Sequence, residues 1–181
     1  MLNLVCFVCR AIEGLCFWHD SVGALLRAGV LPLLVNFLQV PPSPGVLELT
    51  VSTLMHMSFS RKKVSLYLMR NHALPKLVKH LMSHNLYTVA HTAAVLKNIA
   101  FRDVTAKRAV ALAKGIYSLV RLLTDVDRKH KQGAELDAAV SAIECLGCLM
   151  HRCFSNKIAA CRHGAVRTLR QLLEAPEPQV H

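Results

Sequence analysis

Two apolar phrases recur along the chain, and their spacing restricts its fold more tightly than any other feature. The first is clearest as Ala94-Val-Leu-Lys-Asn-Ile-Ala-Phe101. Weaker copies read Ala11-Ile-Glu-Gly-Leu-Cys-Phe17, Thr53-Leu-Met-His-Met-Ser-Phe59 and Ala142-Ile-Glu-Cys-Leu-Gly-Cys148. Their landmark residues Leu15, Met57, Ile99 and Leu146 lie 42, 42 and 47 residues apart. The second phrase begins at Gly29, His72, Lys114 and Gly164 and ends at Leu38, Leu81, Leu123 and Leu173, with spacings between its ends of 43, 42 and 50. A period of about 40–47 residues, carried by helical patterning alone, marks a stacked helical solenoid.

Each unit reads as short helix, sharp turn, helix, loop and long helix. Val5, Cys9, Ile12, Leu15 and Cys16 make one stripe of a 3.6-residue period, and the same stripe returns as Leu47, Val51, Leu54, Met57 and Ser58. It returns again as Val89, Ala93, Leu96, Ile99 and Ala100, and then as Leu136, Val140, Ile143, Leu146 and Gly147. Phe17, Phe59, Phe101 and Cys148 close these stripes at what reads as a packing position. Asp20, Ser60, Asp103 and Ser155 follow the long helices and can cap the next ones through their side-chain oxygens. Gly29, His72, Lys114-Gly115 and Gly164 close the short helices, where a left-handed exit is required. Pro32 and Pro75 fall near helix starts, and Pro41-Pro-Ser-Pro-Gly45 reads as a breaker. The last junction is about eight residues longer, mostly in the charged stretch 124–134.

Composition agrees with stacking. A helix shielded by neighbours on both flanks reads apolar nearly all round, which accounts for a 53% hydrophobic chain without a membrane. No uncharged apolar run reaches the ~18–20 residues of a spanning helix. The apolar opening of residues 1–9 is interrupted by Arg10 and Glu13 and lacks the features of a secretory signal, so it reads as a solenoid helix. Seven cysteines inside helical phrases point to free, buried thiols and a reducing setting, cytoplasmic or nuclear. The 22 Lys+Arg against 11 Asp+Glu give a formal charge of +11, which favours acidic partners.

The Gly-Ala-Leu-Pro-x-Leu-Val-type and Ala-Leu-x-Asn-Leu-Ala-type phrases resemble those of the armadillo repeat family over nearly the whole chain. The resemblance implies an all-α, right-handed α-solenoid of about four repeats. Residues 1–175 form one solenoid with repeat phases 1–17, 18–59, 60–101, 102–150 and 151–175, the first and last partial, and 176–181 are a frayed tail. It also implies that the long helices line a concave groove for extended peptides. The sequence opens on a long helix and stops after a second helix. Leu2, Leu4, Phe7 and Val8 do not supply the polar outer face of a capping repeat, which points to a fragment of a longer solenoid or to a partner over the start.

Armadillo receptors of the importin-α kind repeat an Asn in the long helix with a Trp four residues earlier. Here the Asn position reads Gly14, His56, Asn98 and Cys145, and the Trp position reads Arg10, Ser52, Ala94 and Ser141. One rung in four does not make that receptor's ladder, so transport of basic signals is the weakest reading. Asn98 alone carries over as a backbone clamp. The expected groove comprises Arg10, His56, His91, Lys97, Asn98, Arg102 and Ser141, with basic loop contacts at Arg61, Lys62, Lys63, Arg128, Lys129 and Lys131.

Cys6-x-x-Cys9 and Cys145-x-x-Cys148 lie on different long helices and do not share a metal. Cys148, His151, Cys153, Cys161 and His163 cluster in sequence, yet buried thiols are the expected role and no metal or cofactor is assigned. Glu13 and Glu144 recur at matching places, which marks repetition and not an acid/base pair, and no catalytic motif is present. The sequence therefore reads as a non-enzymatic scaffold or adaptor whose groove takes an extended, acidic protein segment. The alternative is sequence-blind nucleic-acid binding, since no base-reading code repeats from unit to unit.

Overall fold

A computed structural model describes residues 2–18, 21–59, 62–125 and 133–174. The described residues form helices and no strand. The long helices are α1 (Leu2–Cys16), α4 (Pro44–Ser58), α7 (Leu86–Ala100) and α10 (Ala134–Met150). Short pairs precede each of the last three: α2 (Ser21–Arg27) with α3 (Val30–Phe37), α5 (Lys62–Arg70) with α6 (Ala73–His80), and α8 (Val104–Leu112) with α9 (Gly115–Asp125). A last pair, α11 (Phe154–Arg162) and α12 (Ala165–Leu173), follows α10. The long helices stack in order, α1 on α4, α4 on α7 and α7 on α10.

Burial on two flanks is clearest in α7. Thr88, Thr92, Val95 and Ile99 are buried, and so are Val89, Ala93, Leu96 and Ala100. Small residues between the larger ones admit close neighbours on both sides. One apolar core runs through the stack from Cys16 to Ala165. Each large aliphatic side chain buried there contributes about 1.5–3 kcal/mol.

The turns follow the sequence reading. Gly29 (φ 74°), His72 (53°), Lys114 (67°) and Gly164 (85°) all adopt the left-handed conformation between the two short helices. Asp103 caps α8, its Oδ1 accepting from Ala106 N at 3.0 Å. Ser155 does not cap α11. The cap residue is Cys153, and Ser155 sits in the first turn beside it. Asp20 and Ser60 lie outside the described residues. The proline-rich breaker ends by starting α4: Ser43 Oγ accepts from Val46 N, and Pro44 takes the first helical position.

The register of the fourth unit differs from the sequence reading. Asn98 of α7 donates from Nδ2 to the carbonyl of Met55, and the Cys148 thiol donates to the carbonyl of Lys97. Met55 and Lys97 are themselves 42 residues apart, so Cys148 occupies the place of Asn98 one repeat on. The offset is therefore 50, as in the second phrase, and not 47. Phe59, Phe101 and His151 then coincide as residues that leave a long helix with φ near −60° and ψ near 120°. In this register Glu144, and not Ser141, matches Ala94. The buried stripe of α10 includes Ala139, Leu146 and Leu149, while Leu136, Val140 and Ile143 are exposed.

Candidate functional site

A cleft of about 1550 Å³ opens where the C-terminal ends of α4, α7 and α10 meet the starts of α5 and α8. Its position follows from chain direction. Each long helix delivers its last turn to the same edge of the stack, and each following short helix starts there.

Phe59 and Phe101 mark this edge. The sequence reading made them packing residues, but they are 71% and 62% exposed, and both line the cleft. A phenylalanine at the exit of a long helix has left the buried stripe, because the backbone turns extended there. Arg102 follows in a left-handed conformation (φ 57°) and lays its guanidinium over the Phe101 ring, 5.1 Å from the centroid. Arg152 repeats that backbone conformation 50 residues later (φ 53°).

The cations of the cleft divide into committed and open ones. Lys97 Nζ pairs with Glu144 Oε2 at 2.7 Å, so it is not the free groove cation expected from sequence. Lys107, which sequence reasoning missed, is buried and donates to the carbonyl of His151 at 2.7 Å. Lys62, Arg102 and Arg152 have no carboxylate partner among the described residues and line the same cleft. Its two carboxylates, Asp103 and Glu144, are occupied by a helix cap and by Lys97.

Asn98 lines the cleft, but its amide is already used. Nδ2 donates to Met55 O at 3.2 Å and to Ser58 Oγ at 3.1 Å, tying α7 to α4. Its Oδ1 has no partner among the described residues and is the only half of the amide left to a ligand.

The remaining expected groove residues lie elsewhere. His91 and Ser141 meet Tyr87 and Asp137 in a separate hollow of about 350 Å³ between α7 and α10. His91 Nδ1 is buried without a partner among the described residues. Burial lowers the His91 pKa from the ordinary value; the Glu13 and Glu48 carboxylates pull it up and His56 pushes it further down. His56 packs its ring against Phe17, with centroids 4.4 Å apart. Arg10 is exposed on α1, and Lys63 is exposed on α5 without lining the cleft. Arg61, Arg128, Lys129 and Lys131 lie outside the described residues. Glu13 and Glu144 do not occupy matching places: Glu13 accepts from Ser52 Oγ, and Glu144 holds Lys97.

The sulfur-rich stretch is dispersed. The Cys148 thiol faces the Lys97 carbonyl, Cys153 faces Ser155 Oγ at 3.5 Å, and His163 sets its ring on edge to Tyr117 at 5.5 Å. Among the described residues no three His, Cys, Asp or Glu side chains come together as metal ligands. All seven cysteines are free thiols. Burial holds the Cys145 thiol far above its ordinary pKa and raises Cys16 to about 11.

No family model and no curated protein matches the sequence. Solved structures do match in shape. An engineered protein superposes with a TM-score of 0.80 at 23% identity, covering 93% of this chain and 65% of that one. A designed armadillo repeat protein in complex with the peptide (KR)4 gives 0.79 at 20% identity, over 93% of this chain and 68% of that one. An armadillo-repeats-only protein from Plasmodium falciparum gives 0.81 at 20% identity, over 95% and 73%. The chain thus spans less than two thirds of the first of these. The fold is that of an armadillo-repeat solenoid. Among the described residues no helix is long and apolar enough to cross a membrane.

Proposed function

From the armadillo-repeat fold we propose that the chain is a non-enzymatic binding scaffold that takes an extended acidic protein segment into the cleft at the long-helix ends. One observation carries the reading: exposed Phe59 and Phe101 line a single cleft together with the open cations Lys62, Arg102 and Arg152. Aromatic rings supply contact area at low entropic cost, and arginine forks hold carboxylates in a defined geometry. Peptide binding by a chain of this shape has a parallel in the designed armadillo protein that holds (KR)4. That ligand is basic, whereas a +11 chain with open arginines favours the opposite sign. The seven free thiols accord with a cytoplasmic setting.

A nucleic acid would use the same cations, but it carries its charge continuously. Glu13, Glu48 and Glu144 stand along the long helices, and a polyanion tracking the stack must pass them. A peptide can place its few carboxylates opposite Lys62, Arg102 and Arg152 and set apolar side chains against the phenylalanines.

The test is a fluorescence-anisotropy titration with three labelled probes: a Glu/Phe-containing peptide, a Lys/Arg peptide and a random single-stranded RNA. The acidic peptide should bind tightest and weaken as salt rises. The triple charge reversal Lys62→Glu, Arg102→Glu, Arg152→Glu should weaken it at least tenfold, about 1.4 kcal/mol. Tighter binding of the RNA would replace this reading, and equal affinity in the triple variant would remove the cleft from it.

A further inference from the structure

Charge is divided between two layers of the stack. The long helices carry two cations, Arg10 and Lys97, against five carboxylates, three of them on α10. The four short pairs, with the turns inside them, carry fourteen Lys and Arg and a single carboxylate, Asp125 at the end of α9. Asp125 is already paired with Arg121 at 3.7 Å. All of those cations but Lys107 reach solvent. The pairs also pack on one another, α6 on α8, α8 on α11 and α9 on α12, so they form a layer beside the long helices. The excess positive charge of the described residues therefore belongs to the short-helix layer.

The turn between the two short helices brings this charge into a row. Two residues before the left-handed turn residue stand Arg27, Arg70, Leu112 and Arg162, and all four are exposed. In the third unit, where that place holds leucine, Lys114 supplies the cation from the left-handed position itself. Arg27, Arg70, Lys114 and Arg162 form no ion pair among the described residues. Successive turns are neighbours: the Tyr117 ring, three residues past Lys114, meets His163 of the next unit edge-on at 5.5 Å. None of these turn residues lines the cleft. Leu112 stands 87% exposed among the cations, in an inner unit, where neither end of the chain accounts for it.

We propose that the short-helix layer docks on an anionic lipid bilayer, with Arg27, Arg70, Lys114 and Arg162 against headgroup phosphates and carboxylates and Leu112 at the boundary between headgroups and acyl chains. A row of cations with an aliphatic side chain among them matches that boundary, where charge attraction and apolar burial add. A nucleic acid would take the same cations but offers no apolar medium to Leu112. Single strands are also held by stacking on aromatic faces. The tyrosines nearest the turns are committed elsewhere, Tyr67 against the core and Tyr117 to His163. The docking does not depend on Lys62, Arg102 or Arg152, so it stands or falls separately from the cleft.

Co-sedimentation of the 181-residue chain with vesicles tests this. Phosphatidylcholine vesicles containing about 30% phosphatidylserine should bind it and pure phosphatidylcholine vesicles should not, and binding should fall as salt rises from about 0.1 to 0.5 M. The turn reversal Arg27→Glu, Arg70→Glu, Arg162→Glu should weaken binding about a hundredfold or more. The cleft reversal Lys62→Glu, Arg102→Glu, Arg152→Glu has the same net charge and should lose far less. Leu112→Gln changes no charge and should weaken binding about fivefold. Every substituted side chain is exposed, which keeps the fold out of the comparison. Equal loss in the two reversals would mean that binding follows net charge alone, and it overturns the face. Undiminished binding by Leu112→Gln overturns the bilayer as its partner. So does a chain that ignores the phosphatidylserine vesicles, and a random single-stranded RNA that then binds and weakens in the turn reversal would put nucleic acid in the bilayer's place.

Discussion

At Asn98 a single side chain separates two roles. The importin-like reading makes its amide a ligand clamp, but both contacts of Nδ2 go to Met55 O and Ser58 Oγ of the neighbouring helix. Asn98→Ala should therefore lower stability by about 1–2 kcal/mol through the lost bonds, seen as a melting temperature lower by several degrees. An unchanged melting temperature would return Asn98 to the groove. Gly115 is required by distance: a Cβ there would lie 2.6 Å from Val110 Cγ1 and 2.8 Å from the Val110 carbonyl. Gly115→Ala should cost about 1–3 kcal/mol in a thermal melt by forcing the α8–α9 turn apart. His72 and Lys114 hold the left-handed turn without being glycine. His72→Gly should stabilise by up to about 1 kcal/mol, the steric relief exceeding the added chain entropy.

His91 carries a pH dependence at the same scale. Burial lowers its pKa in the folded chain, so the unfolded chain binds the proton more readily. Stability is then fully present above the ordinary histidine value of about 6.5 and is lost as pH falls through it toward the folded value. Denaturant melts of the native chain and of His91→Gln should diverge in this direction, with the native chain losing more stability between pH 7 and pH 5. Parallel curves would contradict the assignment.

Among the elements, helices and turns were legible because each is fixed by local chemistry. The turn at Gly29, His72, Lys114 and Gly164 and the cap at Asp103 needed only residue type and spacing. The register of α10 was not. Ala142-Ile-Glu-Cys-Leu-Gly imitates Ala11-Ile-Glu-Gly-Leu-Cys closely enough to suggest a 47-residue step, and small residues such as Gly147 leave the pattern undecided. The 50-residue step of the second phrase held the correct answer, since α12 packs on α9 and α9 packs on α10, which fixes the fourth unit against the third. The slip mattered for the site, because it concealed that His151 and Arg152 repeat Phe101 and Arg102. Asn156 tests the joint between the last two units. It is buried and donates to Lys107 O at 3.1 Å and Leu149 O at 3.0 Å. Asn156→Ala leaves those carbonyls short of a donor and should destabilise by about 1–3 kcal/mol, with hydrogen exchange quickening in α11 and α12 before α4. Exchange that quickens uniformly would mean that the stack melts as one unit.

For the whole molecule, the sign of the net charge was visible in composition, but the division between open and committed cations was not. Lys97 looked like a groove cation and is tied to Glu144; Lys107, which the sequence did not single out, is buried. Exposure of Phe59 and Phe101 likewise depends on where a long helix stops, which an apolar pattern does not report. The partner reading rests on these tertiary details. It is tested most directly by placing a photo-cross-linking residue at position 101, inside the cleft, and in a separate chain at position 112, exposed on α8 outside it. With the acidic Glu/Phe peptide present, irradiation should join peptide to chain at 101 and not at 112, and the yield at 101 should fall with added salt. Equal cross-linking at the two positions, or cross-linking at 112 alone, would contradict a partner held between Phe59, Phe101 and the open arginines.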